Sequence, residues 1–254
     1  MNSLAITRVA LTQWQAMDDD QLVGRGDISP RPDGRLFVSI DAWHDAVFDR
    51  LAAAMLAKTR RPLHTVVDEC DTELLSRWGR AGFTTRRREW EYLVPTDPRA
   101  TGLGSAPIPT GITVVPVGRA QAEPLRVVDR LIRDEVEATV GWQEMPAEIL
   151  SGVDGDTIVD PSKYAAAQRA DEYLGLLRLV QVTRLPRIGL IAVRADQRRR
   201  GIARAMLAQT LGALHELGTT TATAEVNESN RAATALFEGI GSRRVNSNVE
   251  LVLR

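Results

Sequence analysis

From residue 112 onward the chain alternates between two periods of hydrophobicity. Ile112 to Val117 (ITVVPV) is a β-branched run that predicts a strand, and from Arg119 to about Thr139 the apolar positions Leu125, Val128, Leu131, Ile132 and Val136 recur at helical spacing. A less regular stretch with Trp142 and Met145-Pro146 follows. Three strand-like runs come next, Lys163 to Gln168, Tyr173 to Gln181 and Arg187 to Val193, split by charged or turn-forming residues. After Gly201 the helical period returns: Met206, Leu207, Leu211, Leu214 and Leu217 share a face, and Gly218 stands where a helix stops. Thr220 to Val226 reads as a strand, Asn230 to Gly241 as a helix with an Asn N-cap and a terminal Gly, and Val249 to Leu253 as a closing strand. The order β-α-β-β-β-α-β-α-β predicts an α/β domain with helices covering a mixed sheet.

Pro95 to Gly111 breaks this pattern, because four prolines and several glycines suppress both helix and ladder hydrogen bonding. The expected organisation is a domain over 1–95, a linker over 96–110 and a domain over 111–254. The first domain carries a weak copy of the second. At a constant offset of 159 residues, HDAVFDRLAAAML from His44 lies over ARAMLAQTLGALH from Ala203, and VDECDTELLSRWGRAGF from Val67 lies over VNESNRAATALFEGIGS from Val226. Identities are few (Ala46/Ala205, Ala54/Ala213, Val67/Val226, Glu69/Glu228, Gly82/Gly241), but the helix, strand, helix rhythm and the final Gly stay aligned.

Composition narrows the class. The 254 residues are 44% hydrophobic and 26% charged, which is globular composition; 32 basic against 33 acidic residues give no global attraction for nucleic acid or an anionic membrane. Cys70 is the single cysteine, and no Cys/His cluster has zinc spacing, so neither a disulfide framework nor a metal site is expected. The opening residues lack a basic region followed by a long apolar run, and no stretch reaches the length of a membrane span, so a cytoplasmic protein is expected.

The chemistry concentrates in IGLIAVRADQRRRGIARAML, Ile188 to Leu207. An apolar strand leads into a loop with Arg198, Arg199, Arg200 and Gly201, which opens directly into an amphipathic helix. A helix N-terminus offers unpaired N–H groups and partial positive charge, and glycine allows a bulky anion close to the backbone. This is an anion-binding arrangement, or else a solvated basic loop. It is neither a GxGxxG fingerprint nor a P-loop, since the Lys-Ser/Thr pair is missing.

Arg198-Arg199-Arg200-Gly201-Ile202-Ala203 resembles the R-x-x-G-x-G/A pyrophosphate loop of the GNAT N-acetyltransferase superfamily, again after a strand, here ending in Val193. About twenty residues downstream, Glu225-Val226-Asn227-Glu228-Ser229-Asn230 with Ala233, Leu236, Phe237 and Gly241 is similar to the family's E-V-x-x-S-N-x-x-A-x-x-L-Y-x-x-x-G-F. The resemblance covers 111–254 and implies a largely antiparallel, splayed sheet flanked by helices, with residues 1–95 as a degenerate, non-catalytic relative. It further implies acetyl-CoA binding: the pyrophosphate on backbone amides of residues 199–204 (Arg199, Arg200, Gly201, Ile202, Ala203, Arg204), the pantetheine arm along Ile191, Ala192 and Val193, and Asn230 near that arm or capping its helix. The thioester enters between the splayed strands Ile191–Val193 and Glu225–Asn227.

An amine of pKa near 10.4 is about 3.4 units from its neutral form at pH 7, roughly 4.6 kcal/mol, so a base helps. Glu225 takes the position of a glutamate that serves as base in some members, and a buried carboxylate with a raised pKa suits that task; the alternative is a Glu paired with a nearby Arg. Asp134, Glu135 and Glu137, with Trp142, stand before and in the region that lines the acceptor site in the family, where the acids would hold a cationic acceptor or simply form a solvated helix face. Two departures matter. The tyrosine that often protonates the leaving thiolate is Phe237, which either lies by the cofactor or packs helix on sheet, and the Phe after the final Gly is Ser242. In the first copy, Ser39-Ile40-Asp41-Ala42-Trp43-His44 has no Arg-rich run and no Gly, Asp41 opposes a pyrophosphate while capping the helix, and Trp78 replaces the tyrosine.

The expected activity is direct transfer of acetyl from acetyl-CoA to a primary amine of a small, antibiotic-like molecule, by a monomer or homodimer with no nucleic-acid or membrane partner. A protein N-terminus or lysine acetyltransferase, or a non-catalytic acyl-CoA sensor, are the alternatives.

Overall fold

The computed structural model describes residues 4–31, 34–105, 107–139, 141, 159–181 and 185–254. In the first part of the chain the order is β1 (Ala5–Ala10), β2 (Gln13–Asp18), β3 (Gln21–Pro30), β4 (Leu36–Ala42), α1 (Asp45–Leu56), β5 (Leu63–Asp68), α2 (Thr72–Arg80) and β6 (Thr84–Pro95). It continues through α3 (Pro98–Thr101), β7 (Thr113–Val115), α4 (Ala122–Glu137), β8 (Tyr164–Arg169), β9 (Glu172–Gln181) and β10 (Pro186–Val193). The last elements are α5 (Ile202–Glu216), β11 (Thr221–Asn227), α6 (Arg231–Glu238) and β12 (Arg243–Leu253). Antiparallel pairs predominate; β4–β5 and β10–β11 run parallel. No helix among the described residues is long and apolar enough to cross a membrane.

Two units result, Met1–Glu89 with Asn246–Arg254, and Trp90–Val245. This differs from the expected bounds of 1–95 and 111–254. The reason is the last strand, whose residues Asn248 to Leu253 pair with Asp68 to Leu63 of β5 and so belong with the first unit. The expected linker is packed as well: Asp97 caps α3 by accepting from the Arg99 N–H at 2.8 Å, and Leu103 is buried in the core of the second unit.

In the first unit β1 to β4 form an antiparallel meander and β5 joins parallel to β4. Helix α1 buries Val47, Phe48, Leu51, Ala52 and Met55, and Trp78 of α2 meets Phe48 edge-on at 4.9 Å and Phe83 at 4.8 Å. Gly24 permits this approach, since a Cβ there would stand 2.8 Å from Val47 Cγ1. Around Glu250 of β12, the His64 Nδ1–H donates at 2.8 Å while Arg35, Arg86 and Arg87 approach at 3.2, 3.1 and 2.6 Å. A buried carboxylate needs such partners, because an isolated buried charge is costly.

In the second unit the strand order is β6-β11-β10-β9-β8-β7. One face of the sheet packs against α5 and α6 through Leu177, Leu179, Ile188, Ala224, Met206, Leu207 and Phe237. The other packs against α4 through Tyr164, Leu176, Leu190, Leu125, Val128 and Ile132. Helix α4 buries a stripe at positions 125, 128, 129 and 132, the spacing of one helical face.

The two units repeat local chemistry at the 159-residue offset. Asp71 caps α2 by accepting from the Leu74 N–H at 2.9 Å, and Asn230 caps α6 by accepting from the Ala233 N–H at 3.0 Å. One turn earlier, Asp68 accepts from the Cys70 N–H at 2.8 Å as Asn227 does from the Ser229 N–H at 2.9 Å. Gly82 and Gly241 both adopt positive φ.

Candidate functional site

Strand β10 sets the geometry. Its residues Ile191, Ala192 and Val193 pair antiparallel with Leu177, Leu176 and Gly175 of β9, whereas its parallel pairing with β11 is confined to Arg187 opposite Thr223 and Ile188 opposite Ala224. A register shift at Gly189, between Ile188 and Leu190, marks the point of departure. Past it, among the described residues, no strand pairs with the β11-facing edge of Ile191–Val193, which leaves a slot for an extended ligand.

The loop that follows is braced. Arg194 N–H donates to the Leu174 carbonyl at 2.9 Å, residues Ala195–Gln197 form one 3₁₀ turn, and the Arg198 guanidinium folds back on the Val193 carbonyl at 3.1 Å. Glu135 of α4 accepts from the Ala195 N–H at 2.8 Å and lies 3.5 Å from Arg198. Arg199 (φ +65°) and Gly201 (φ +83°) then turn the chain through left-handed backbone into α5. The first helical bond runs from Ala205 N–H to the Gly201 carbonyl at 3.0 Å, so the amides of Ile202, Ala203 and Arg204 lie ahead of the ladder. Among the described residues no acceptor meets the N–H groups of Arg199 to Arg204. With Arg199 and Arg200 exposed beside them, these donors suit a polyanion. Ile202 contributes only its backbone, since its side chain is buried.

Other candidates stand differently from expectation. Glu225 is not a lone buried carboxylate: its side chain is 29% exposed and pairs with Arg187 at 3.1 Å, because the closed end of the β10–β11 pairing brings the two onto one face. Phe237 lies in the core. It is buried and stacks on Tyr92 with centroids 5.8 Å apart. Glu135 is engaged with the loop through the Ala195 N–H, while Asp134 and Glu137 are exposed on α4. Asn230 caps its helix, and Trp142 lies outside the described residues. In the first unit Asp41 sits within β4 opposite Arg25, too early to cap α1, whose N-cap is His44.

Sequence reasoning missed Arg178. It is the one charged side chain inside the apolar run YLGLLRLVQ of β9, and that isolation was the available signal. Its guanidinium lies against Gly189, where a Cβ would stand 3.1 Å from Nη1.

Comparison with known proteins agrees with this geometry. Residues 154–251 match the family model described as the acetyltransferase (GNAT) domain. No curated protein sequence matches the chain. A GCN5-related N-acetyltransferase from Sphaerobacter thermophilus has the same fold, with a TM-score of 0.68 at 16% identity over 97% of this chain and 82% of that one. A tandem GNAT protein from the clavulanic acid biosynthesis pathway superposes with a TM-score of 0.66 at 13% identity over 95% of this chain and 82% of its own. A GNAT-family acetyltransferase from Colwellia psychrerythraea gives 0.61 at 13% identity over 95% and 85%. The slot beside β10 and the open amides ahead of α5 both lie within the stretch that matches the GNAT acetyltransferase domain model, and the chain shares its fold with solved GNAT proteins.

Proposed function

We propose that this domain is an acetyl-CoA-dependent N-acetyltransferase acting by direct transfer on a primary amine of a small molecule. The observation that carries the reading is the run of amides from Arg199 to Arg204 that no acceptor meets among the described residues, placed at the N-terminus of a 15-residue helix and beside the slot along Ile191–Val193. The donor set fits the group: amides and the helix dipole for a pyrophosphate, and a strand edge for the amide-bearing pantetheine arm. When bound, acetyl-CoA supplies an activated thioester.

The chain's own residues do the rest. Arg199 and Arg200 add charge at the loop, and Glu135 with Arg198 holds the turn that aims the amides. Glu225, at the first position past the last β10–β11 pair, receives the amine proton directly or through water. Arg187 holds that carboxylate in place. Phe237 donates no proton, and water at the open strand edge is left to reprotonate the departing sulfur. The first unit contributes architecture and no cofactor site, since β4 passes into α1 without an Arg- and Gly-containing loop. We read the repeat as a duplication and the setting as cytoplasmic.

A second reading, an acyl-CoA sensor without turnover, draws on the burial of Phe237 and the ion pair on Glu225. Release of free thiol from acetyl-CoA in the presence of an amine panel supports the enzyme. Binding of acetyl-CoA with no amine-dependent thiol release supports the sensor.

A further inference from the structure

On the face of the second unit's sheet opposite α5 and α6, one buried cationic atom, Arg178 Nη1, has no hydrogen-bond partner among the described residues. Leu177 and Leu179 of β9 belong to the core under α5, so Arg178 between them projects to the opposite face. Ile188, Ala224 and Val226 also belong to that core, which puts Arg187 and Glu225 on the same opposite face as Arg178. Other charges on that side are paired. Arg187 is balanced by Glu225 at 3.1 Å, Arg133 of α4 by Asp129 at 2.7 Å, and Lys163 by Asp160 at 3.2 Å. Tyr164, the cross-strand neighbour of Arg178, supplies no charge, because burial pushes its phenol up. Arg178 has no carboxylate partner among the described residues, and its buried Nη1 makes no hydrogen bond there.

The position of this cation is specific. Gly189 is the first β10 residue past the last pair with β11, and its missing side chain is what lets Nη1 lie against the backbone at the mouth of the gap. Glu225 is the first residue past that pair on the other strand. A guanidinium therefore stands near one side of the gap and a carboxylate near the other. A half-buried guanidinium without a counter-charge is held at a cost that an anion bound beside it would offset.

We propose that the acceptor carries an anionic group, a carboxylate or phosphate monoester, in addition to its amine, and that Arg178 binds that group. This rests on the acetyl-transfer reading above and replaces the cationic acceptor that an acidic face on α4 suggested. The amine then lies toward Glu225 and the anion toward Arg178.

The test is thiol release by the full chain with acetyl-CoA and paired amines: a set of amino acids, each beside its carboxamide, and phosphoethanolamine beside ethanolamine. The expected result is a kcat/KM at least about tenfold higher for the anionic member of a pair, the size of one well-placed charge contact. Arg178→Gln should abolish that preference, and Arg178→Lys should keep part of it, with acetyl-CoA affinity unchanged in both. Equal or better turnover of the neutral members, no turnover of any anionic member, or a preference that survives Arg178→Gln would overturn the assignment. A calorimetric titration of the same samples separates the layers: failure of the wild-type chain to bind acetyl-CoA removes the underlying reading and this one with it, whereas binding without an anionic preference removes only this one.

Discussion

Glu135 on α4 accepts a hydrogen bond from the backbone N–H of Ala195 at 2.8 Å, tying a helix from one face of the sheet to the turn that precedes the anion-binding loop. A carboxylate accepting from an amide is a strong, charge-assisted bond, and the 3.5 Å approach of Arg198 adds to it. Glu135→Ala should therefore loosen the loop and weaken acetyl-CoA binding by about 5- to 30-fold, the equivalent of about 1–2 kcal/mol. Glu135→Gln keeps an acceptor for the amide and should lose less. Isothermal titration of both variants checks this; equal losses would mean that charge alone matters, and no loss would remove Glu135 from the loop's support.

Glu225→Gln retains shape but takes up no proton, and should lower kcat by roughly 10² to 10⁴ with acetyl-CoA affinity nearly intact. Steady-state kinetics at pH 7 decide the point, and a wild-type kcat would mean that another group or the solvent takes the proton. Phe237→Tyr should give no gain. Its ring is buried against Tyr92, so an added hydroxyl without a partner costs about 1–3 kcal/mol of stability instead.

Much of the second unit is legible in sequence because its elements obey one period each. The stripe at Leu125, Val128 and Ile132, the helix opened by Gly201 and the strand from Thr221 all fall within a few residues of expectation. The first four strands were not legible, and the reason is local. In β3 the inward positions at Gly24 and Gly26 are glycines, vacated for Val47, Leu51 and Met55 of α1, so the strand lacks the alternation that marks a half-buried one. The pairing of β12 with β5 joins residues about three quarters of the chain length apart, and no local pattern encodes it. At the site, the Arg-Gly loop was readable because backbone chemistry is encoded by Gly and position. The contacts of Glu135, Phe237 and Arg178 depend on which element packs opposite, which spacing does not reveal.

Asn230 separates a structural from a binding role. Its side chain accepts from the Ala233 N–H at 3.0 Å, so Asn230→Ala should cost about 1 kcal/mol of stability. Denaturant unfolding measures the loss. If the variant keeps wild-type stability but loses acetyl-CoA affinity, the residue serves the ligand rather than the helix.

Acid should weaken the first unit in two stages. Burial, helped by Arg35 and Arg86 and opposed by Glu250, holds His64 below its ordinary 6.5; as pH falls through 6.5 the unfolded chain takes up the proton first, and stability drops. For Glu250 burial works upward, but Arg87, then Arg86 and Arg35, outweigh it and hold the carboxyl below 4.5. Its contribution is present above 4.5 and is lost as pH falls through the lower folded-state value. Thermal unfolding followed between pH 7.5 and 4 should show a falling midpoint, and His64→Gln should flatten the first stage. A midpoint that rises on acidification would reverse the assigned signs.

One acetyl-CoA is expected to bind per chain, at the loop from Arg199 to Arg204. Calorimetric titration of the wild-type chain and of Gly201→Glu tests it most directly. Gly201 has φ +83°, and space for a Cβ is open there apart from Pro109 Cγ at 3.6 Å, so the substitution strains the turn and places a carboxylate where the pyrophosphate is proposed to sit. The expected result is a stoichiometry of about one for the wild type and an affinity loss well over tenfold, about 1.4 kcal/mol or more, for a folded Gly201→Glu chain. No binding by the wild type, two equivalents per chain, or an unchanged affinity in the variant would contradict it.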